Sequence, residues 1–324
     1  MIQTLPLVLF IVMMELSIGS FFVLFVLDWR DEVKRGFLVS YAIIYLFLSG
    51  LTYLFQQNYA NSDLLNTYAN LDKAWTGYQA GTLLLFLLLM LPYNLFLIMD
   101  KRAGVDGRTD DTAARTSLVR LLHLVSGSLC VVAGAASLLV LGMIFRPLAS
   151  FNLGGVFTVA GFFAGSLALG GVLTAMWLGH WYLVTPALSE KPLLFSTTLV
   201  LAAVLAEIAL ALAIGPATTV ASAPVPAPTA TVTTGNIVPV VTAATPVPGG
   251  QTRPDAPVVA PLSAGAIGWI RVLVGFAMPL ILGGFAWKLI RDRSFQSATG
   301  MLYLVVVCVL AGEAMARGLF LLGL

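Results

Sequence analysis

The chain has 324 residues, 59% of them hydrophobic and only 10% charged, with a formal net charge of +2. Its mean hydropathy of +0.95 excludes a soluble globular domain, in which about a quarter of residues are charged. The two cysteines, Cys130 and Cys308, both fall in apolar stretches; this argues against a disulfide framework or a thiolate metal site, and leaves any iron–sulfur chemistry to another subunit.

Eight apolar stretches are long enough to span a bilayer, at about 5–27, 36–56, 79–99, 118–145, 154–179, 193–214, 264–290 and 299–322. The first has no basic leader and no small-residue cleavage site, so it reads as a retained helix. Residues 57–78 are polar with interleaved Tyr59, Tyr68, Trp75 and Tyr78, the composition of an interfacial belt. The segment Asp100 to Asp111 carries Asp, Arg and Gly without the spacing of a calcium loop and reads as a solvated linker. Residues 215–263 are rich in Pro, Ala, Thr and Val, have almost no charge and no periodicity, and read as a disordered external linker. Arg30, Lys34 and Arg35, then Lys101, Arg102, Arg108, Arg115 and Arg120, then Lys191, then Lys288, Arg291 and Arg293 all fall on one side. The positive-inside rule makes that side cytoplasmic and puts both termini outside.

Helices one to four and five to eight read as two copies of one unit. Cys130-Val131-Val132-Ala133-Gly134-Ala135-Ala136 matches Cys308-Val309-Leu310-Ala311-Gly312-Glu313-Ala314, and Leu91-Pro92 with Lys101 matches Met278-Pro279 with Lys288. Arg35 to Ser40 resembles Lys191 to Ser196, and Leu16 to Gly19 resembles Leu167 to Gly170. The expected fold is therefore all-α and polytopic: eight transmembrane helices as a parallel repeat of two four-helix units. Residues 1–150 form the first unit, 151–214 open the second, 215–263 are the linker and 264–324 complete it. An even number of helices per unit argues against inverted-repeat transporters.

The repeat shows which charges the scaffold does without. Glu313 aligns with Ala135, Arg317 with Leu139, Glu207 with Leu51, Arg271 with Leu84 and Glu15 with Ser166. All five charges fall in the outer half of their helices. An unpaired charge at bilayer depth costs several kcal/mol, whereas converging charges compensate one another and enclose a polar site. Structural ion pairing is the competing reading. A quinol site would need an apolar slot, a hydrogen-bonding group for the ring oxygen and an acid leading to water. Glu313, with Glu15, is the candidate proton acceptor; Arg317 and Arg271, with Glu207, would hold the head group.

Ala311-Gly312-Glu313 with Arg317-Gly318-Leu319-Phe320 resembles the last helix of the membrane anchor subunit of dimethyl sulfoxide reductase, in the group that includes the polysulfide and formate-linked nitrite reductase anchors. Leu5-Pro6-Leu7 with Ile18-Gly19, and Trp269 with Arg271, add to the likeness. It covers about a dozen residues closely. The resemblance implies a subunit without a covalently bound cofactor in a bacterial cytoplasmic membrane. Such a subunit exchanges electrons between menaquinone or ubiquinone and an iron–sulfur subunit that serves a molybdopterin catalytic subunit; no nucleic-acid partner is implied. The sequence departs from it at Tyr53-Leu54-Phe55-Gln56, where those anchors carry a quinol-binding histidine. Gln56 can hydrogen-bond a quinone oxygen but takes no proton from it at neutral pH.

Two further readings come from other classes. His123 and His180 fall near the cytoplasmic ends of helices four and five, where two imidazoles could clamp one haem b; the Trp177, Trp181 and Tyr182 around His180, and the Arg115 and Arg120 ahead of His123, read instead as interfacial structure. A small-solute transporter or a non-catalytic assembly anchor would also use an outer charge cluster. No phosphate loop, metal-ligand spacing or nucleophile triad is visible.

Overall fold

In the computed structural model of the chain, residues 5–101, 103–105, 118–149, 154–185, 188–214 and 264–321 are described. The Pro/Ala/Thr-rich linker at 215–263 and most of the Asp100–Asp111 linker lie outside them. The described residues form α1 (Leu5–Trp29), α2 (Arg35–Tyr59), α3 (Ser62–Leu65), α4 (Lys73–Met99), α5 (Leu118–Phe145), α6 (Gly154–Val184), α7 (Lys191–Ile214), α8 (Ala264–Arg271), α9 (Met278–Arg291) and α10 (Phe295–Phe320). With α8 and α9 counted as one, eight helices are long and apolar enough to cross a membrane, which makes the chain a multi-pass membrane protein.

The expected bounds need two corrections. The stretch 57–78 is largely helical: α2 runs on to Tyr59, Asn61 caps the single turn of α3 by accepting from the Leu64 N–H at 2.8 Å, and α4 starts at Lys73. Asp72 caps α4 by accepting from the Ala74 N–H at 3.2 Å, and it also pairs with Arg146 at 2.9 Å. Hydropathy passes over these turns because capping residues are polar. The seventh span is also not one α-helix. A π-helical turn, Val272–Ala277, joins α8 to α9 just ahead of Pro279, whose ring removes a backbone donor.

α1 is the axle of the bundle. It packs on α2, α5, α6 and α10, and 78% of its membrane-length window is buried, against 22% for the α8–α9 span. Its closest crossing is with α6, where Gly19 lies against the Ser166 backbone and Gly170 against the Gly19 backbone, so neither position has room for a Cβ. Small residues allow such backbone approach where lipid supplies no hydrophobic drive between helices. A second glycine pair, Gly275 and Gly312, presses the π turn onto α10.

The loops rich in Lys and Arg gather at one end. The Arg35 guanidinium donates to the carbonyl oxygens of Ile98 and Asp100, at 2.5 and 3.0 Å, and the Val105 N–H donates to Val33 O at 3.0 Å. Arg293 donates to Leu188 O at 3.2 Å and lies 3.5 Å from Glu190. We call this the basic end.

Candidate functional site

In the other half of the bundle, α1, α6, α7, α8 and α10 enclose a cluster of charge. Arg317, in the last turn of α10, reaches across to α1: its Nε donates to Glu15 Oε2 at 3.1 Å and its Nη2 donates to Glu15 Oε1. The same Nη2 lies 3.2 Å from Glu313 Oε2, one turn back on α10, and donates to Gly161 O of α6 at 3.1 Å. The guanidinium sits over the buried Phe162 ring, 4.5 Å from its centroid. Glu15 is fully buried, with Glu313 4%, Glu207 7% and Arg317 9% exposed. Charges this deep persist only with partners, and the planar guanidinium meets the Glu15 carboxylate in a fork that an ammonium could not make.

Glycine makes the room. A methyl group at Gly165 of α6 would sit 2.6 Å from Arg317 Nη2, 2.9 Å from Glu313 Oε2 and 3.0 Å from Glu15 Oε1. The three charged groups meet over its bare Cα. Sequence reasoning passed over Gly165, as it did the π turn that begins one residue after Arg271.

The remaining two charges stand at the edge of this triad. Glu207 of α7 faces Glu313, and Arg271 lies within electrostatic reach of Glu207, Glu313 and Arg317, its guanidinium 4.9 Å from the Phe276 ring centroid. One atom of each has no hydrogen-bond partner: Glu207 Oε1, an acceptor, and Arg271 Nε, a donor. Three carboxyls against two guanidiniums leave one formal negative charge in excess. A buried site with such an excess closes neutral by taking up one cation, of which the proton is the smallest.

All five predicted charges are thus brought together, whereas the other predicted residues are not. Gln56 is buried at the end of α2, where its amide donates to Ala60 O at 3.1 Å and accepts from Gln57 at 2.6 Å. His180 is exposed. His123 is fully buried rather than interfacial, and both its ring nitrogens lie beside carboxylates, Asp28 at 2.9 Å and Asp100 at 3.3 Å. A lateral groove of about 410 Å³ opens between Ala74, Trp75, Tyr78, Thr82 and Val140; none of the five charges lines it. No group of three or more His, Cys, Asp or Glu suited to a metal ion occurs among the described residues.

No protein-family model, curated protein or solved structure matches the chain.

Proposed function

We propose that the protein is a quinone-reactive membrane subunit of a respiratory oxidoreductase, and that the charge cluster is its quinol site. The observation that carries this reading is the convergence of Glu15, Glu207, Glu313, Arg271 and Arg317 in the half of the bundle away from the basic loops. Oxidation of a quinol releases two electrons and two protons. Glu207 Oε1, buried and unpartnered, would accept from a quinol hydroxyl and Arg271 Nε, likewise unpartnered, would donate to a quinone oxygen, while the Glu313 and Glu15 carboxyls take protons onward. Menaquinone or ubiquinone is the bound substrate, and the electrons pass to an iron–sulfur subunit serving a molybdopterin catalytic subunit, docked on the outer face of a bacterial cytoplasmic membrane. Both termini lie on that outer face, because the basic end is cytoplasmic under the positive-inside rule.

The same proposal includes a parallel four-plus-four repeat, and the helix contacts support it. The pairs α1–α2, α2–α4, α4–α5, α1–α5 and α5–α6 have counterparts in α6–α7, α7–α9, α9–α10, α6–α10 and α10–α1. The central pair α1–α6 is its own counterpart, and the aligned glycines Gly19 and Gly170 meet there.

Glu313→Gln tests the reading, because the amide keeps the shape and loses the proton acceptor. Membranes carrying it should lose quinol-dependent reduction while the protein stays inserted and bound to its iron–sulfur partner; His180→Ala should leave the rate unchanged. Equal rates in the Glu313 variant and the parent would refute the site. The unpartnered Glu207 oxygen and Arg271 nitrogen also suit the ammonium and carboxylate of a zwitterionic solute, and uptake of a labelled amino acid by proteoliposomes would favour transport instead.

A further inference from the structure

A second buried polar group lies at the basic end of α1, independent of the quinol reading. Asp28 is thirteen residues beyond Glu15, about 20 Å along a helix that rises 1.5 Å per residue. Its side chain is fully buried against His123 of α5, with Nε2 2.9 Å from Asp28 Oδ2 though off the hydrogen-bonding direction. Tyr93 of α4 donates to the same oxygen at 3.2 Å. On the other side of the ring, Nδ1 is 3.3 Å from Asp100 Oδ2 at the end of α4 and 3.3 Å from Arg120 Nη1 on its own helix. Arg120 also pairs with Asp28 at 3.1 Å and Asp31 at 2.8 Å, and Arg35 of α2 donates to the Asp100 backbone oxygen.

The position of Nδ1 is the telling feature. It stands equally near an acceptor, the Asp100 carboxylate, and a donor, the Arg120 guanidinium. A protonated Nδ1 donates to Asp100; a bare one accepts from Arg120. Nε2 stays beside the Asp28 carboxylate in both, close in charge but off the hydrogen-bonding direction. Each charge state of the imidazole therefore has partners waiting, which a fixed ion-pair staple does not require: Arg120 with Asp28 and Asp31 already ties the helices together. Exposure also rises outward, from 0% for the His123 side chain and 1% for Asp100 to 12% for Arg120 and 33% for Asp31, which grades the way to water.

We infer that Asp28, Asp100 and His123 form a second proton-binding site, in which the imidazole takes up and returns one proton by way of the Asp100 carboxylate at the basic end of the bundle, with Arg120 holding the neutral ring. The protein then carries a proton acceptor toward each end of α1. No electron transfer or co-reactant is needed: one N–H bond forms as the proton leaves water and breaks as it returns.

The chain has only two histidines, His123 and His180. Full-length protein with ¹⁵N-histidine and the His180→Gln substitution, reconstituted in lipid, reports on His123 alone. Over a reversible pH series the ¹⁵N spectrum should show both a protonated and a bare Nδ1. In Asp100→Asn the ratio of protonated to neutral ring at a given pH should fall about tenfold or more, the effect of removing an opposite charge at this range. A single protonation state throughout in the parent overturns the inference. So does an unchanged ratio in folded Asp100→Asn; should that variant not fold, the parent titration decides alone.

Discussion

Gly165→Ala is the sharpest probe of the charge cluster, because it adds one carbon where three charged atoms already meet. A carbon packs comfortably at about 3.5 Å, so contacts of 2.6, 2.9 and 3.0 Å with Arg317 Nη2, Glu313 Oε2 and Glu15 Oε1 ask these atoms to retreat. The ends of long side chains usually step aside. Here each holds the other: Arg317 is forked onto Glu15, paired with Glu313 and bonded to Gly161 O. Overpacking of a filled interior costs about 1–3 kcal/mol; if Arg317 is expelled instead, breaking the buried pair costs about 3–5 kcal/mol. One turn earlier on α6, a Cβ at Gly161 meets nothing within 4 Å, so Gly161→Ala gains helix propensity of about 0.5–1 kcal/mol. At roughly 2 °C per kcal/mol for a chain of this size, thermal melting in one detergent should fall by about 2–10 °C for Gly165→Ala and rise by about 1–2 °C for Gly161→Ala. The opposite signs are the content of the prediction. Two variants that shift together, or a Gly165 variant that melts at or above the parent, would refute the packing described for the site.

Arg317→Lys should behave almost as a loss of the residue, since an ammonium cannot fork onto Glu15 while reaching Glu313 and Gly161 O; a loss of about 3–5 kcal/mol would appear as a lower denaturation midpoint, and a midpoint equal to the parent's would show that the fork contributes nothing. Gly170→Val places a branched side chain against the Gly19 backbone at the α1–α6 crossing, so the yield of folded protein on size exclusion should collapse, whereas Gly284→Val, with open space around its Cα, should be recovered at parental yield. Asp72→Ala removes both the cap of α4 and the ion pair to Arg146; at about 1 kcal/mol for the cap and up to about 1 kcal/mol for an exposed pair, melting should fall by only a few degrees, and the loss should be smaller in high salt.

The depth of the charges and their convergence were legible in the sequence; the atoms that touch were not. Glu15, Glu207, Glu313, Arg271 and Arg317 interrupt apolar runs, and counting from the helix ends places each at a height along the bundle. That they would meet follows from cost, since five separate charges in oil would not be tolerated. Which atoms touch depends on rotation about each helix axis and on local backbone, and the code for that is faint. Gly165 has no side chain to announce it. The π turn after Arg271 inserts extra backbone into a stretch that reads like its counterpart in α4, and so turns Arg271 relative to Leu84. Gln56 was placed at the correct end of α2, yet its amide is taken up by the end of its own helix and by Gln57.

Asp28 and His123 escaped for a different reason. Both stand where a hydropathy plot passes from span to loop, and a charged or polar residue at that boundary is read as solvated. In the folded chain the ends of α1, α4 and α5 close over them, and the arginine that marks the loop, Arg120, becomes their partner. On the proposed alignment of the two halves, Asp28, Asp100, Arg120 and His123 correspond to Gly179, Trp287, Ala298 and Met301. The buried polar group at the basic end thus belongs to the first half alone, while four of the five charges at the other end belong to the second. Apart from Glu15 of α1, the two groups of buried charge are thus divided between the halves. α1 is the one helix that contributes to both groups, Glu15 to one and Asp28 to the other, and it is also the most enclosed. A helix that carries a carboxylate toward each end, inside the bundle, is placed to bring ionisable groups near both faces while Phe21, Leu24 and Leu27 between them are fully buried and apolar.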